Sequence, residues 1–245
     1  MANRVLTQDI SESLNGAKAA KIDINCGTGH LTIDKLGATE QLLARGTLQY
    51  LQKQGIPRRS ANTDAGQATL ALTARDLRQS GFRLPWAGCG AAYTWQIQLN
   101  PSIPSDLAVR SRGGNVKLQL AAMVVTRLSA NTGGGNLAVV LPDNAANLTA
   151  NHEAGAGNVE VEVGKGIVGN NTITARSGAG SVVVRLPNGV AAKISATTGM
   201  GKVIVDQRFA KIDKATYKSA DYDIATTKID IDAHSGAGNV SVNAK

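Results

Sequence analysis

One pattern recurs seven times along the chain and limits what it can become: a glycine pair at a backbone corner, a polar residue, then alternating apolar residues. The copies are NCGTGHLTI (25–33), RSRGGNVKL (110–118), ANTGGGNLAV (130–139), HEAGAGNVEV (152–161), ARSGAGSVVV (175–184), ATTGMGKVIV (196–205) and AHSGAGNVSV (233–242). The glycine pairs, each expected to form a structural turn, are Gly27/Gly29, Gly113/Gly114, Gly133/Gly135, Gly155/Gly157, Gly178/Gly180, Gly199/Gly201 and Gly236/Gly238. From Gly114 to Gly201 the second glycines are 21, 22, 23 and 21 residues apart. A fixed period of this size is the mark of a solenoid.

Each copy has a mechanical reading. Glycine reaches positive φ without steric cost and Asn tolerates it better than most residues, so G-x-G-N predicts a tight corner. The V-x-V or L-x-V that follows has period two, which turns one side of a short strand inward and the other toward water. A second apolar run lies between corners, so each unit supplies two short strands and two turns. No unit buries its inner face alone, and stacked units share one continuous column of Val, Leu, Ile and Ala. With only eight aromatic residues in 245, that column is narrow and built of small and β-branched side chains.

The pattern predicts an all-β, solenoid-like stack in a single repeat-built domain. Residues 1–110 read as a wider, sheet-like N-terminal part with protruding hairpins, and 111–205 as regular coils. Residues 206–231 read as an aromatic-containing loop packed against the side of the stack, and 232–245 as a terminal coil that closes the chain. A helix over ATEQLLARGTLQYLQK (38–53) competes with a strand there, because its apolar spacing suits either.

Charge and motifs exclude more than they select. The net charge of +8 permits anionic partners, yet residues 1–110 carry twelve Lys/Arg against eight Asp/Glu and the remainder fourteen against ten, so each part is +4 and no patch concentrates it. No nucleic-acid module is present, and none is expected as a partner. The nearest approach to a phosphate-binding loop, SATTGMGKVIV, has Ala196 for the first glycine and Val203 where Ser or Thr would hold magnesium, and a strand pattern follows it. His30, His152 and His234 read as exposed turn residues, lacking companions at metal-ligand spacing. Glu160 and Glu162 alternate on one strand and point together to solvent. No catalytic, cofactor-binding or metal-binding residues are assigned. Cys26 and Cys89, 63 positions apart, read as free small apolar residues, with a single disulfide between them as the alternative. The sequence lacks a run of 18 apolar residues or a signal peptide, which predicts a cytoplasmic protein as written, with membrane association only through a partner or a further segment.

One segment stands apart. WAGCGAAYTW (86–95) gathers Trp86, Tyr93 and Trp95 in a protein poor in aromatics. It is a candidate interaction loop, with Trp95 beginning a core strand as the competing reading.

Taken together, INCGTGHLTID, TWQIQLNPSIPSDLAVRS, RGGNVKLQL and VTRLSANTGGGNLAVVLPDN resemble the toastrack domain of LiaF-like, cell-wall-active antibiotic response proteins. The later coils and YDIATTKIDIDAHSGAGNVSV are similar to the related putative adhesin repeat family, and the resemblance covers roughly residues 20–245. It implies an all-β fold without catalytic residues and a regulatory or adhesive role at the cell envelope. The hydrophobic helices usually placed before such domains are missing here. Two non-enzymatic roles follow as expectations: an interaction or sensor domain, and a self-assembling scaffold that pairs through the strand edge of its terminal coil, laterally or end to end. A glycan-active enzyme on a solenoid groove is the minor alternative.

Overall fold

The computed structural model describes residues 4–37, 40–75 and 93–245. Two large sheets face each other across the column. The N-terminal strands are β1 (Val5–Ser13), β2 (Ala19–Asn25), β3 (His30–Lys35), β4 (Leu42–Leu51), β5 (Arg58–Asp64), β6 (Gln67–Thr73) and β7 (Thr94–Leu99). The regular coils follow as pairs: β8 (Ser105–Ser111) with β9 (Val116–Gln119), β10 (Val125–Gly134) with β11 (Leu137–Val140), β12 (Thr149–Ala156) with β13 (Val159–Glu162), and β14 (Asn170–Ala179) with β15 (Val182–Leu186). Next come β16 (Ala191–Met200), β17 (Val203–Val205), the short β18 (Ala210–Lys211) and β19 (Thr216–Lys218), and finally β20 (Lys228–Ala237) with β21 (Val240–Ala244). In each coil a long strand in one sheet turns through the glycine corner into a short strand of the other.

The ten-stranded sheet runs β1-β4-β7-β3-β9-β11-β13-β15-β21-β17, and the eleven-stranded sheet runs β5-β6-β2-β8-β10-β12-β14-β20-β16-β19-β18. Coils from β8 to β15 stack in sequence order, as the repeat predicts. The last coil does not. β20 lies between β14 and β16, in parallel register with both, and β21 lies between β15 and β17. The terminal coil expected to offer an open edge is therefore enclosed by two earlier coils. At the other end the first coil, β2/β3, is likewise enclosed, between β6/β7 and β8/β9.

The two ends are finished differently. At the N-terminal end β4 and β1 extend one sheet by antiparallel pairing, and β5 extends the other through the Ala65–Gly66 hairpin, where both residues have positive φ. These antiparallel strands continue the sheets rather than protrude from them, and 42–51 is strand, not helix. At the C-terminal end β19 and β18 cover the β16 edge, with Phe209 buried, so residues 206–219 close the end of the stack rather than flank its side. The short β17 forms the other edge.

The core is the predicted column of small residues, led by Ile22, Ile24, Leu31, Ile33, Leu107, Val161, Val184 and Val242, with Trp95 as its largest member. Tyr93 and Trp95 are both buried, and the Trp95 indole donates to the Gln49 carbonyl at 2.9 Å. They belong to the core and offer no contact surface; Trp86 and Cys89 lie outside the described residues. Cys26 is a free, buried thiol whose pKa is pushed up by burial.

His152 is corrected outright. It is wholly buried, in a cross-strand row with Ala130, Ala175, Ala233 and Ala196, whose small side chains leave room for an imidazole. Its Nδ1 donates to the Thr174 carbonyl at 3.0 Å, which leaves Nε2 as a buried acceptor with no partner among the described residues. Burial lowers its pKa from 6.5 to about 4, so the ring is neutral in the folded state.

Candidate functional site

The motif acts through three ladders that run along the stack, and the first corrects how the glycine pairs divide their work. The turn expected of Gly133 and Gly135 together falls on Gly135 alone. Gly133 lies within β10, which runs on to Gly134, and Gly135 then makes the corner with φ at +105°. The same division separates Gly155 from Gly157, Gly178 from Gly180, Gly199 from Gly201 and Gly236 from Gly238: the first of each pair is a strand residue. In the next coil toward the N-terminus Gly114 has the positive φ and Gly113 does not, whereas in the first coil Gly27 has it and Gly29 does not. The physical reason is the close stacking of coils. A Cβ on Gly155 would come within 2.5 Å of the Gly133 carbonyl oxygen, and one on Gly178 within 2.5 Å of that of Gly155, so glycine is needed there even in extended backbone. At the corners a Cβ on Gly135 would sit 2.4 Å from the Gly114 oxygen, and one on Gly180, where φ is +148°, 2.2 Å from the Gly157 oxygen. Both positions demand glycine, one for close approach and one for close approach and φ together.

Two further ladders lock the corners. The asparagine after the corner accepts from the backbone N–H of the next coil: Asn115 from Asn136, Asn136 from Asn158 and Asn158 from Ser181, at 2.8–3.0 Å. The series starts at His30, whose Nδ1 accepts from the Asn115 N–H, and ends where Asn239 accepts from the Lys202 N–H. The hydroxyl before the first glycine donates to a corner carbonyl, as Ser177 does to Gly157, Ser235 to Gly180 and Thr198 to Gly238, at 2.7–2.8 Å. Cys26 takes the equivalent place in the first coil, its Sγ 3.7 Å from the Gly29 oxygen. All three ladders pass from coil 170–186 to the last coil and then to coil 191–205, the order of the sheets.

Because the first glycines lack side chains, the outer face of the eleven-stranded sheet is hollowed along them. A groove of about 620 Å³ results, with Gly133, Gly155, Gly178 and Gly236 on its floor. Along one side runs a cross-strand row in register: Asn25, Arg110, Asn131, Glu153, Arg176 and His234. At about 4.8 Å per strand the five steps from Asn25 to His234 cover about 24 Å.

The row presents fixed polar groups with little net charge. Arg110 Nη1 reaches both oxygens of Asp23 at 2.9 and 2.8 Å, and Arg176 pairs with Asp232, each acid lying in the next row of the same face, further from the glycine corner. His234 Nδ1 lies 2.9 Å from the Thr197 hydroxyl. These exposed pairs hold the guanidinium planes in place more than they stabilise the fold. Chemically the groove provides a line of donors and acceptors suited to an extended ligand. The opposite sheet presents Glu160 and Glu162 to solvent as predicted, paired with Arg185 and Lys245.

Three kinds of comparison bear on this arrangement. The family whose model matches is the N-terminal domain of toast_rack, DUF2154, over residues 2–162. No curated protein matches the chain. Among solved structures, a putative cell adhesion protein from Clostridium sporogenes ATCC 15579 superposes with a TM-score of 0.67 at 21% identity, covering 99% of this chain and 100% of the other. A putative adhesin from Bacteroides fragilis NCTC 9343 gives a TM-score of 0.36 at 8% identity, covering 100% and 98%. The first likeness shows the shared fold; the second is too distant to support more.

Proposed function

We propose a contact role rather than a catalytic one, and the premise is the family: the chain belongs to the toast_rack proteins, whose N-terminal domain it carries over residues 2–162. The proposed role is that of an adhesion-type or sensor-type binding domain of the cell envelope, acting through the groove on its eleven-stranded sheet. The observation that carries this reading is the in-register row Arg110–Asn131–Glu153–Arg176–His234 above a floor of glycines. A row fixed by sheet hydrogen bonds is preorganised, which lowers the ordering cost of binding. Its guanidiniums are already paired with Asp23 and Asp232, so it favours a ligand rich in hydroxyls over a polyanion. A neutral glycan strand lying across the coils meets these requirements, since each sugar advances by about one inter-strand step. The description of the Clostridium sporogenes structure as a putative cell adhesion protein supports the same class of role. No helix of the described residues is long and apolar enough to cross a membrane.

The test is cosedimentation with purified envelope glycan, comparing the wild type with an Asn131→Ala/Glu153→Ala double variant. Losing two hydrogen-bonding groups at about 1 kcal/mol each lowers affinity by about tenfold or more, with the melting temperature little changed. Absence of binding by the wild type, or equal binding by the variant, contradicts the reading.

A second reading, self-assembly, is favoured by the C-terminal end, where Met200 and Ile204 are exposed at the edge strand β17 and Ile212 is exposed beside β18, the edge strand of the other sheet. Edge-to-edge pairing there would join two stacks. Light scattering of the native protein that shows a strict monomer at high concentration removes this reading.

A further inference from the structure

The topology gives the last coil a property that no other coil of the regular series has: both of its neighbours precede it in sequence. β20 makes ladders with β14 on one side and β16 on the other, and β21 does so with β15 and β17. During synthesis, N-terminal segments appear first, so coils 170–186 and 191–205 exist before the residues that belong between them. The slot for these residues, bordered by one edge each of β14, β15, β16 and β17, is complete only when the coil arrives, because β16 and β17 join coil 170–186 only through β20 and β21.

The connection that delivers the coil is partly anchored. β19 pairs with β16, and the Ser219 hydroxyl accepts from the Ala192 N–H at 3.0 Å, so the chain is tied to coil 191–205 up to residue 219. From Ala220 to Thr227 it runs through turns and bends to the start of β20, with Ile224 85% exposed. These eight residues reach about 28 Å when extended, several inter-strand steps. The polar ties beside this hinge are Tyr222 to Asp230, Lys218 to Asp223 at 2.7 Å, and the Lys228 ammonium over the Tyr222 ring at 5.1 Å. All lie on the exposed surface, where such contacts are weak.

We infer that residues 228–245 are an exchangeable coil, and that the partner this surface fits is the same coil of a second copy of the chain. Every contact of the coil with its two neighbouring coils is reproduced when it enters another molecule's slot: the glycine approach of Gly238 to Gly180, the Ser235–Gly180 hydrogen bond and the Asn239–Lys202 hydrogen bond. Closed monomer and exchanged dimer differ only in the hinge and in the entropy of association. The short tether holds the coil at millimolar effective concentration near its own slot, so a native monomer stays closed. Exchange competes when chains fold together at comparable concentration, the usual route to swapped dimers. This association proceeds through the enclosed coil and not through β17, and it needs no groove ligand, although exchange supplies His234 and Gly236 of the groove from the second copy.

Two single variants, Ala179→Cys and Ala237→Cys, test the inference directly. Positions 179 and 237 are register partners within a monomer, so a disulfide joining the new thiol of one variant to the new thiol of the other reports exchange between molecules. The two full-length variants are unfolded together, refolded at low and at near-millimolar concentration, oxidised, and mapped by peptide mass spectrometry. The expected result is a 179–237 linked dimer whose yield rises at least tenfold with refolding concentration, and which is missing when the two proteins are folded separately and then mixed. No linked dimer at high concentration overturns the inference, as does equal yield from separately folded proteins, which would report surface collision. Light scattering of the unsubstituted chain refolded at both concentrations covers the case in which either cysteine impairs folding: a concentration-dependent dimer is expected, and a monomer at both contradicts the inference.

Discussion

The middle of the stack and its C-terminal end are built from the same unit, yet only the middle follows sequence order. From β8 to β15 each coil rests on the one before it in the chain; beyond β15 the next slot is filled by residues 228–245, and coil 191–205 sits one place further out. The ladders cross this boundary without a break. The contact of Gly238 with Gly180 is close to that of Gly180 with Gly157, and the asparagine and hydroxyl ladders continue through Asn239 and Ser235. The repeat unit thus specifies how two coils stack but not which two. Connections decide the order, here a connection long enough to pass over one slot.

The glycine corners should distinguish an enclosed last coil from a frayed one by the largest effect. Gly180→Ala forces a Cβ to 2.2 Å from a backbone oxygen at a positive φ, and Gly238→Ala does so at 2.4 Å. Each should destabilise by about 3 kcal/mol or more in urea unfolding, and by similar amounts. A Gly238 variant that unfolds like the wild type would mean that the end is loosely attached.

The His152 effect is confined to the middle. Its folded pKa of about 4 is below the usual 6.5, so between these values the unfolded chain takes up a proton that the folded chain refuses. The stability contributed by the neutral ring is complete above pH 6.5, falls as the pH drops toward 4 and levels off below it. The span is about 3 kcal/mol. Subtracting the pH profile of a His152→Leu variant from that of the wild type should isolate this slope, and parallel profiles would contradict the buried, neutral ring.

Smaller effects sharpen the comparison. Asn158→Ala in the middle and Asn239→Ala in the last coil each remove one acceptor for the next coil's N–H, at 2.8 and 2.9 Å, and should each cost about 1 kcal/mol. Gly134 is the counterexample among the glycines: a Cβ there meets nothing within 4 Å and its φ is not positive. Gly134→Ala should leave stability unchanged or raise it by about 0.5 kcal/mol through the unfolded chain, as thermal unfolding will show.

Much of this architecture was legible in the sequence. The two-strand unit, the corners, the solvent side of Glu160 and Glu162 and the narrow aliphatic column follow from period two and from glycine spacing. The division of labour between Gly133 and Gly135 was not legible, because two glycines so close together read as one turn until the carbonyl of the neighbouring coil shows why the first must lack a side chain. The role of Ser177 or Asn158 was hidden for the same reason: a hydroxyl or amide beside a glycine also fits an isolated turn, and only the neighbouring coil gives it a partner. His152 misled because it lies close to the turn, where a strand position and an exposed position look alike without knowing which face is inward. The inserted coil left two traces: the 37-residue interval from Gly201 to Gly238, and the sequence S-G-A-G, shared by residues 177–180 and 235–238, which are stacked neighbours. The groove required the stack, since its row takes one residue from each of several coils.

Cross-linking at the enclosed coil reads out the order of the coils. Ala237 is the register partner of both Ala179 and Met200, which are two strands apart, about 10 Å. An Ala179→Cys/Ala237→Cys double variant should oxidise within one molecule and gain resistance to unfolding, since its Cα separation suits a disulfide, whereas Ala179→Cys/Met200→Cys should stay reduced. Efficient oxidation of the 179–200 pair with a reduced 179–237 pair would place the coils in sequence order and contradict the intercalated stack.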